Sequence, residues 1–182
     1  MTESSDLTLV RQCLEGQRDA FGVLVMRHHK AVFNVTLRMI KDVQDAQDVV
    51  QTVFLKAYEK LGTFDARFKF FSWIYRMAVN ESLNFLKRRR RWEGLDEGRD
   101  YAAAAETVEE NDMGQTIQNA LMFLKVEHRA VIILKHLEGL SYEEIAFILE
   151  VPTKTVKSRL FSARQMLKTI LLKQGYADHD RR

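Results

Sequence analysis

The stretch Ser141-Tyr-Glu-Glu-Ile-Ala-Phe-Ile-Leu-Glu-Val-Pro-Thr-Lys-Thr-Val-Lys-Ser-Arg-Leu160 decides the fold of its half of the chain. Ser141 and Glu144, following Gly139, have the spacing of a capping box. Ile145, Ala146 and Leu149 are expected inward positions of a short helix, with Ala146 small where two helices cross. Pro152 stops that helix, and Thr153 is expected to cap the next. Val156, Leu160, Ala163 and Leu167 then repeat along one face at helical spacing. This is a helix-turn-helix pattern. At about 100° per residue the opposite side presents Lys154, Ser158, Phe161 and Gln165. Lys157 and Arg164 flank it on one side, Thr155 and Ser162 on the other. Such a face suits a major groove, because Lys reaches guanine, Ser suits several bases and Phe meets a thymine methyl. Many basic amphipathic helices are merely solvated, but cap, turn and small-residue crossing occur together here, which favours duplex DNA.

Upstream, Gln115–Leu124 and Arg129–Leu137 read as two amphipathic helices joined near 125–127. The segment before them is acidic. From Trp92 to Gly114 there is one Arg against 8 Asp/Glu, with three glycines and the run Ala102–Ala105. The flanking blocks are basic: 16 Lys/Arg against 10 Asp/Glu up to Arg91, and 11 against 7 from Gln115 on. The middle reads as a linker, or as a polyanion mimic lying on a basic surface. Two basic helical blocks on an acidic tether point to one extended, negatively charged partner.

The 182 residues, with 46% hydrophobic and 29% charged, fit one compact domain or two small ones. One proline and eight glycines exclude a turn-rich all-β fold, so an all-α protein is expected. A single cysteine excludes a disulfide framework or a CxxC site. No apolar run approaches the roughly 18–20 residues that span a bilayer, and the polar start Met1–Asp6 does not resemble a signal peptide. A cytoplasmic protein without membrane insertion is expected.

In the first block, Leu7, Val10 and Leu14 mark one helix. Phe21, Leu24 and Val25 begin another beyond Gly16, continued by Val32, Val35, Leu37 and Ile40. Asp42 or Asp45 caps the next helix, which carries Ala46, Val49, Val50, Val53, Phe54 and Ala57 on one side. Its other side shows Asp48, Gln51, Leu55 and Tyr58. Leu55 and Tyr58 make this face either a docking surface or a second core face. The stretch Leu61–Phe71 reads as a loop rich in phenylalanine. Beyond it, Ser72 is the expected cap of a helix with Trp73, Ile74, Met77, Ala78, Leu83 and Leu86, ending in the cations Lys87 to Arg91. Arg76, Asn80 and Asn84 share one face of it. Rings that stack, amides that read base edges and cations that hold phosphates suit unpaired nucleic acid, although an exposed asparagine pair is also common.

Four segments in this order resemble the extracytoplasmic-function sigma factors of bacterial RNA polymerase: Asp45–Tyr58, Phe71–Asn80, Glu138–Ala146 and Thr155–Leu160. The resemblance implies a sigma region two domain over residues 1–91, an acidic linker over 92–114 and a sigma region four domain over 115–182. Asp48, Gln51, Leu55 and Phe54 would bind core RNA polymerase. Asn80, Asn84, Arg76, Trp73, Phe64, Lys87 and Arg88 would engage the melted non-template strand of the minus-ten element, with one base flipped into the protein. Lys154, Lys157, Ser158, Phe161 and Ser162 would read the minus-thirty-five duplex, while Thr155, Arg159, Arg164 and Tyr142 hold phosphates. The linker would follow the RNA-exit path, and an anti-sigma factor would mask the free protein. No cofactor or metal is implied. Against the family pattern, Glu150 and Lys154 stand where glycine is common, Lys125 where proline is common, and Ser162 where arginine is common. The loss of that arginine changes base preference by about 1–3 kcal/mol at one position.

Two other classes compete. A dimeric helix-turn-helix activator fits the second block, but has no need of the Arg76, Asn80, Asn84 and polycationic arrangement. An enzyme is unsupported: His28 and His29 are adjacent on a helix and point about 100° apart, and no HExxH, Walker or nucleophile-elbow motif occurs. Cys13 is expected at a helix interface.

Overall fold

The computed structural model describes residues 5–92 and 113–176. The linker, apart from Trp92, Met113 and Gly114, and the tail Asp178–Arg182 lie outside the described residues. Among those described, all regular structure is helical, and no helix is long and apolar enough to cross a membrane. Two compact units form. The first holds α1 (Asp6–Leu14), α2 (Asp19–Ile40), α3 (Val43–Glu59) and α4 (Phe70–Trp92) as far as Phe85. The second is built from α5 (Met113–Met122), α6 (Val126–Ile132), α7 (Tyr142–Leu149) as far as Ala146, and α8 (Thr153–Lys173).

In the first unit two helices, α1 and α3, begin on side-chain caps. Ser5 caps α1 by accepting from the Thr8 amide at 3.2 Å, and Gly16 takes φ +98° to turn the chain. Asp42, rather than Asp45, caps α3, its Oδ1 accepting from the Asp45 amide at 2.8 Å. The inward face of α3 is Ala46, Val49, Val50, Val53, Phe54 and Ala57, all buried, as the spacing predicts. On α1 the expectation fails by one position. Leu14 is 57% exposed, while Leu9 and Cys13 join Val10 in the core, because only that stripe faces α2. His28 is buried while its neighbour His29 is exposed, the divergence that adjacent helical positions dictate.

Polar links tie the helices of this unit. Asp6 accepts from Arg27 and lies 2.8 Å from Nε2 of His28, joining α1 to α2. Lys56 reaches Glu81 at 2.7 Å, joining α3 to α4. The aromatic loop is shorter than expected. Leu61–Thr63 forms a 3₁₀ turn, and α4 begins at Phe70, before Ser72, because buried Phe70 can open the helix while Lys69 supplies the first carbonyl, to the Trp73 amide.

In the second unit, α6 begins at Val126, three residues before the expected start. The Lys125 carbonyl accepts from the amides of both His128 and Arg129, so the helix is already closed there. The early start turns Arg129 inward. Its side chain is 2% exposed, and it donates to the carbonyls of Leu121 at 3.0 Å, Met122 at 2.9 Å and Leu124 at 3.4 Å. A helix ends with unpaired carbonyls and a partial negative charge. Arg129 satisfies both at the end of α5. Replacing Arg129 with Met removes the side-chain donors from all three carbonyls, although that of Leu121 keeps the Leu124 amide at 3.1 Å. The expected destabilisation is about 3 kcal/mol, read by urea unfolding with amide exchange followed in α5 and α6.

Candidate nucleic-acid and polymerase interfaces

Three surfaces collect the sequence-derived candidates. On α3, Asp48, Gln51 and Leu55 are exposed along one stripe, with Leu55 at 61%. The core reading of Leu55 is therefore excluded. Tyr58 is also exposed, its ring edge-on to Phe21 at 5.0 Å. Phe54 does not belong to this face. It is buried, with its ring stacked 6.1 Å from His29, because it lies about 100° from Leu55 on the α2 side.

The second surface is built by α4 and the loop before it. Phe64, Phe70 and Trp73 form an aromatic cluster, with Phe64 edge-on to Phe70 at 5.7 Å and to Trp73 at 5.5 Å. Buried Phe70 anchors the cluster, and the half-buried rings of Phe64 and Trp73 lie above it. The loop is closed on itself by Asp65, which accepts from the Arg67 amide at 3.0 Å and pairs with its guanidinium at 2.6 Å. Arg67 thereby holds the Asp65 carboxyl below the usual carboxylate range. Arg76 and Asn80 are half-buried, and Asn84, Lys87 and Arg88 are exposed. These residues follow one stripe of α4 at steps of three and four.

A cleft of about 580 Å³ opens on the same unit, lined by Phe64, Phe68, Lys69, Phe71, Arg27 and Asp6 among others. It combines aromatic walls with cations. Asn80 and Asn84 do not line it, and Asp6 and Arg27, which do, carried no sequence signal, being far from the loop in the chain.

The third surface is α8. The capping box before α7 is reciprocal: the Glu144 amide donates to Ser141 Oγ at 3.1 Å, and the Ser141 amide donates to Glu144 Oε2 at 2.9 Å. Ile145 is buried as expected. Ile148, not Leu149, is the second fully buried position, and Ala146 and Leu149 are half-buried, so the inward stripe of α7 runs between Ile145 and Ile148. The turn passes through Glu150 at φ +53°, a left-handed conformation for which glycine is the unstrained residue. Thr153 is the first residue of α8 and does not cap it. Pro152 occupies the cap position, and its carbonyl accepts from Thr155 at 2.8 Å.

Val156, Leu160 and Ala163 face inward from α8, with Leu167 half-buried beyond them. Lys154, Lys157, Ser158, Phe161 and Arg164 are exposed, Phe161 at 67%. Thr155, Arg159 and Ser162 are half-buried at the margins. Lys157 Nζ lies 5.5 Å from the Tyr142 ring centre, and Lys135 Nζ lies 4.8 Å from the same ring. One tyrosine thus gathers two cations from two helices. Arg164 directs Nε and one terminal nitrogen to Nε2 of His136, both at 3.1 Å. Lys135 and His136 were not among the candidates, since nothing in their local sequence separates them from an ordinary helix end. His128, behind Arg159, is pushed below the ordinary histidine value chiefly by burial, with Arg159 and Lys125 adding to the effect and Glu127 opposing it.

Among the described residues no group of His, Cys, Asp and Glu is arranged to hold a metal ion. Cys13 is buried, and burial raises its thiol pKa.

Residues 24–92 match the Sigma-70 region 2 family, and residues 114–167 match the Sigma-70, region 4 family. These two regions define an RNA polymerase sigma factor of the sigma-70 type. The chain is 31% identical to the RNA polymerase sigma-H factor of Pseudomonas aeruginosa, over 94% of this chain and 96% of that one. It is 32% identical to the ECF RNA polymerase sigma-E factor of Escherichia coli strain K12, over 90% of this chain and 92% of that one. Among solved structures, CnrH in complex with the cytosolic domain of CnrY superimposes with a TM-score of 0.68 at 28% identity, over 92% of this chain and 97% of that one. The sigma factor RpoE of Bartonella quintana, in complex with the anti-sigma factor NepR, gives 0.66 at 26% identity, over 83% and 96%.

The chain belongs to the extracytoplasmic-function (ECF) sigma factors. It is an alternative sigma factor that directs core RNA polymerase to specific promoters and aids their melting, and the dimeric-activator reading falls.

Because the capping box fixes the start of α7, Ser141→Ala is expected to destabilise the second unit by about 1 kcal/mol. Amide exchange in the first turn of α7, measured against the unchanged helix α3, checks this.

Proposed function

We propose that the two units divide promoter recognition between them, the first taking the melted strand and the second the upstream duplex. The observation that carries this is the contrast between their exposed faces. The α4 surface pairs stacking rings with amides and cations, the combination that holds unpaired bases and their phosphates. The α8 surface is a single helix face of cations, a hydroxyl and one exposed ring, the combination that enters a major groove.

In this reading Phe64 and Trp73 stack on bases of the minus-ten element, Asn80 and Asn84 read base edges, and Arg76, Lys87 and Arg88 hold the backbone. Lys154, Lys157, Ser158, Phe161 and Ser162 read the minus-thirty-five duplex, with Thr155, Arg159, Arg164 and Tyr142 on its phosphates. The cleft beside Phe64 and Phe68 is wide enough for an extruded base, and its aromatic walls favour that use. The strip of Asp48, Gln51 and Leu55 docks on core RNA polymerase, with Phe54 supporting it from beneath. Residues 92–114 tether the two units, so that binding of one raises the effective concentration of the other.

The protein acts by recognition rather than catalysis, in the cytoplasm where its polymerase works. Two of the similar solved structures hold a protein partner, CnrH with the cytosolic domain of CnrY and RpoE with the anti-sigma factor NepR. An anti-sigma factor covering the Leu55 strip and α8 would silence this chain in the same way.

Run-off transcription from a promoter library, with core polymerase and with or without the chain, tests the reading. Chain-dependent start sites with a shared upstream element are expected. Lys157→Ala is expected to lower output about tenfold from those promoters, a loss within the range of one good base contact. Leu55→Asp should abolish output at all promoters while leaving the helical content unchanged. Equal output from both variants and the unaltered chain would refute the assignment of these faces.

A further inference from the structure

We infer that His136 is a positioning residue for the duplex-binding face, holding Arg164 in the free protein and taking up a proton when the DNA backbone arrives. This rests on the reading of α8 as the duplex-binding helix.

The geometry fixes the starting state. Nε2 of His136 is approached by two donors of the same guanidinium, Nε and a terminal nitrogen, both at 3.1 Å. Arg164 carries only donors, so the ring nitrogen must be the acceptor and the imidazole neutral, with its proton on Nδ1. His136 sits in a π-helical turn, Ile133–Leu137, that extends α6. The same turn carries Lys135, whose ammonium donates to the Leu140 carbonyl at 2.9 Å and lies over Tyr142 of α7. From α8, Lys157 also lies over that ring. The groups that face His136 electrically are therefore cations, Arg164 from α8 and Lys135 from its own turn. Burial first, then Arg164 and Lys135, press its pKa below the ordinary value.

A phosphate brought among Arg164, Lys135 and Lys157 reverses that field. An anion within a few ångströms favours the charged imidazole, and the guanidinium finds a better acceptor than a neutral ring. Arg164 then turns to the phosphate, Nε2 takes a proton from solvent, and the imidazolium becomes a further donor to the same anion. No group is oxidised or reduced, and the one proton gained comes from water.

The sign follows from linkage. The free-state pKa lies below the ordinary value and the bound-state pKa above the free one. Binding is therefore independent of pH above both values and tightens as pH falls through the interval between them.

The test is fluorescence anisotropy of the full chain on a promoter duplex selected by the run-off experiment, from about pH 8 to about pH 6 at fixed ionic strength. The unaltered chain should bind roughly threefold to tenfold tighter at the acidic end, as fractional to full uptake of one proton over about one pH unit requires. His136→Gln keeps a neutral acceptor for Arg164, so it should match the unaltered chain at the alkaline end and lose the slope. His128→Gln, which removes another histidine of the same unit, should keep it. A nuclear magnetic resonance titration of the His136 ring should show its pKa rising on addition of duplex. A His136→Gln slope equal to that of the unaltered chain, or a ring pKa that DNA does not move, overturns the inference while leaving duplex binding intact. Failure of the unaltered chain to bind duplex at any pH, or binding insensitive to Lys157→Ala, overturns the reading of α8 itself and this inference with it.

Discussion

The second unit is organised by one buried cation. Arg129 reaches from α6 to the last carbonyls of α5, where its charge meets the negative end of that helix and its donors replace the lost water. This locks the angle between α5 and α6 and aligns Leu121, Leu124, Ala130 and Ile133, all buried, into one apolar bed. Val156, Leu160 and Ala163 of α8 are the matching stripe. Once that stripe is committed inward, the cations and Phe161 on the opposite side have no direction left but outward. A buried contact thus sets which side chains α8 presents to solvent.

The first unit solves a different problem with different means. Its apolar core is ordinary, but its outer features depend on polar links between helices: Asp6 with Arg27 and His28, and Lys56 with Glu81. The loop between α3 and α4 is stiffened by its own Asp65–Arg67 pair and by Phe70, which anchors Phe64 and Trp73. Stacking platforms need rings whose positions are already paid for before a base arrives, and a buried anchor ring provides this. Leu55 stands exposed on a helix whose opposite face is apolar and buried, which is the observation behind its proposed docking role.

Much of this was legible from spacing. The six inward residues of α3, the exposed face of α8 and the Ser141–Glu144 box follow from helical periodicity and short-range capping, both local properties. The departures are equally instructive. Spacing turns Phe54 inward, whereas the resemblance grouped it with Leu55 as a polymerase contact; its burial separates it from that face. The start at Phe70 moved because burial of that ring outweighs the preference for a polar cap at Ser72, and the start at Val126 because the Lys125 carbonyl already closes the first turn. Arg129 reads as one more surface cation until the early start of α6 turns it inward. His136 and Lys135 act only through residues of α7 and α8, and no local pattern announces a contact between positions 28 residues apart. Glu150, which the resemblance places where glycine is common, takes the left-handed backbone that glycine adopts without strain.

The central claim is that two surfaces on two units perform separable tasks. The most direct measurement follows one holoenzyme on one promoter by two readouts, a footprint over the upstream duplex and permanganate reactivity of thymines in the melted region. With both Asn80 and Asn84 changed to Ala, the account predicts an unchanged upstream footprint and loss of permanganate reactivity. Loss of the upstream footprint together with melting, or retention of full reactivity, would contradict it.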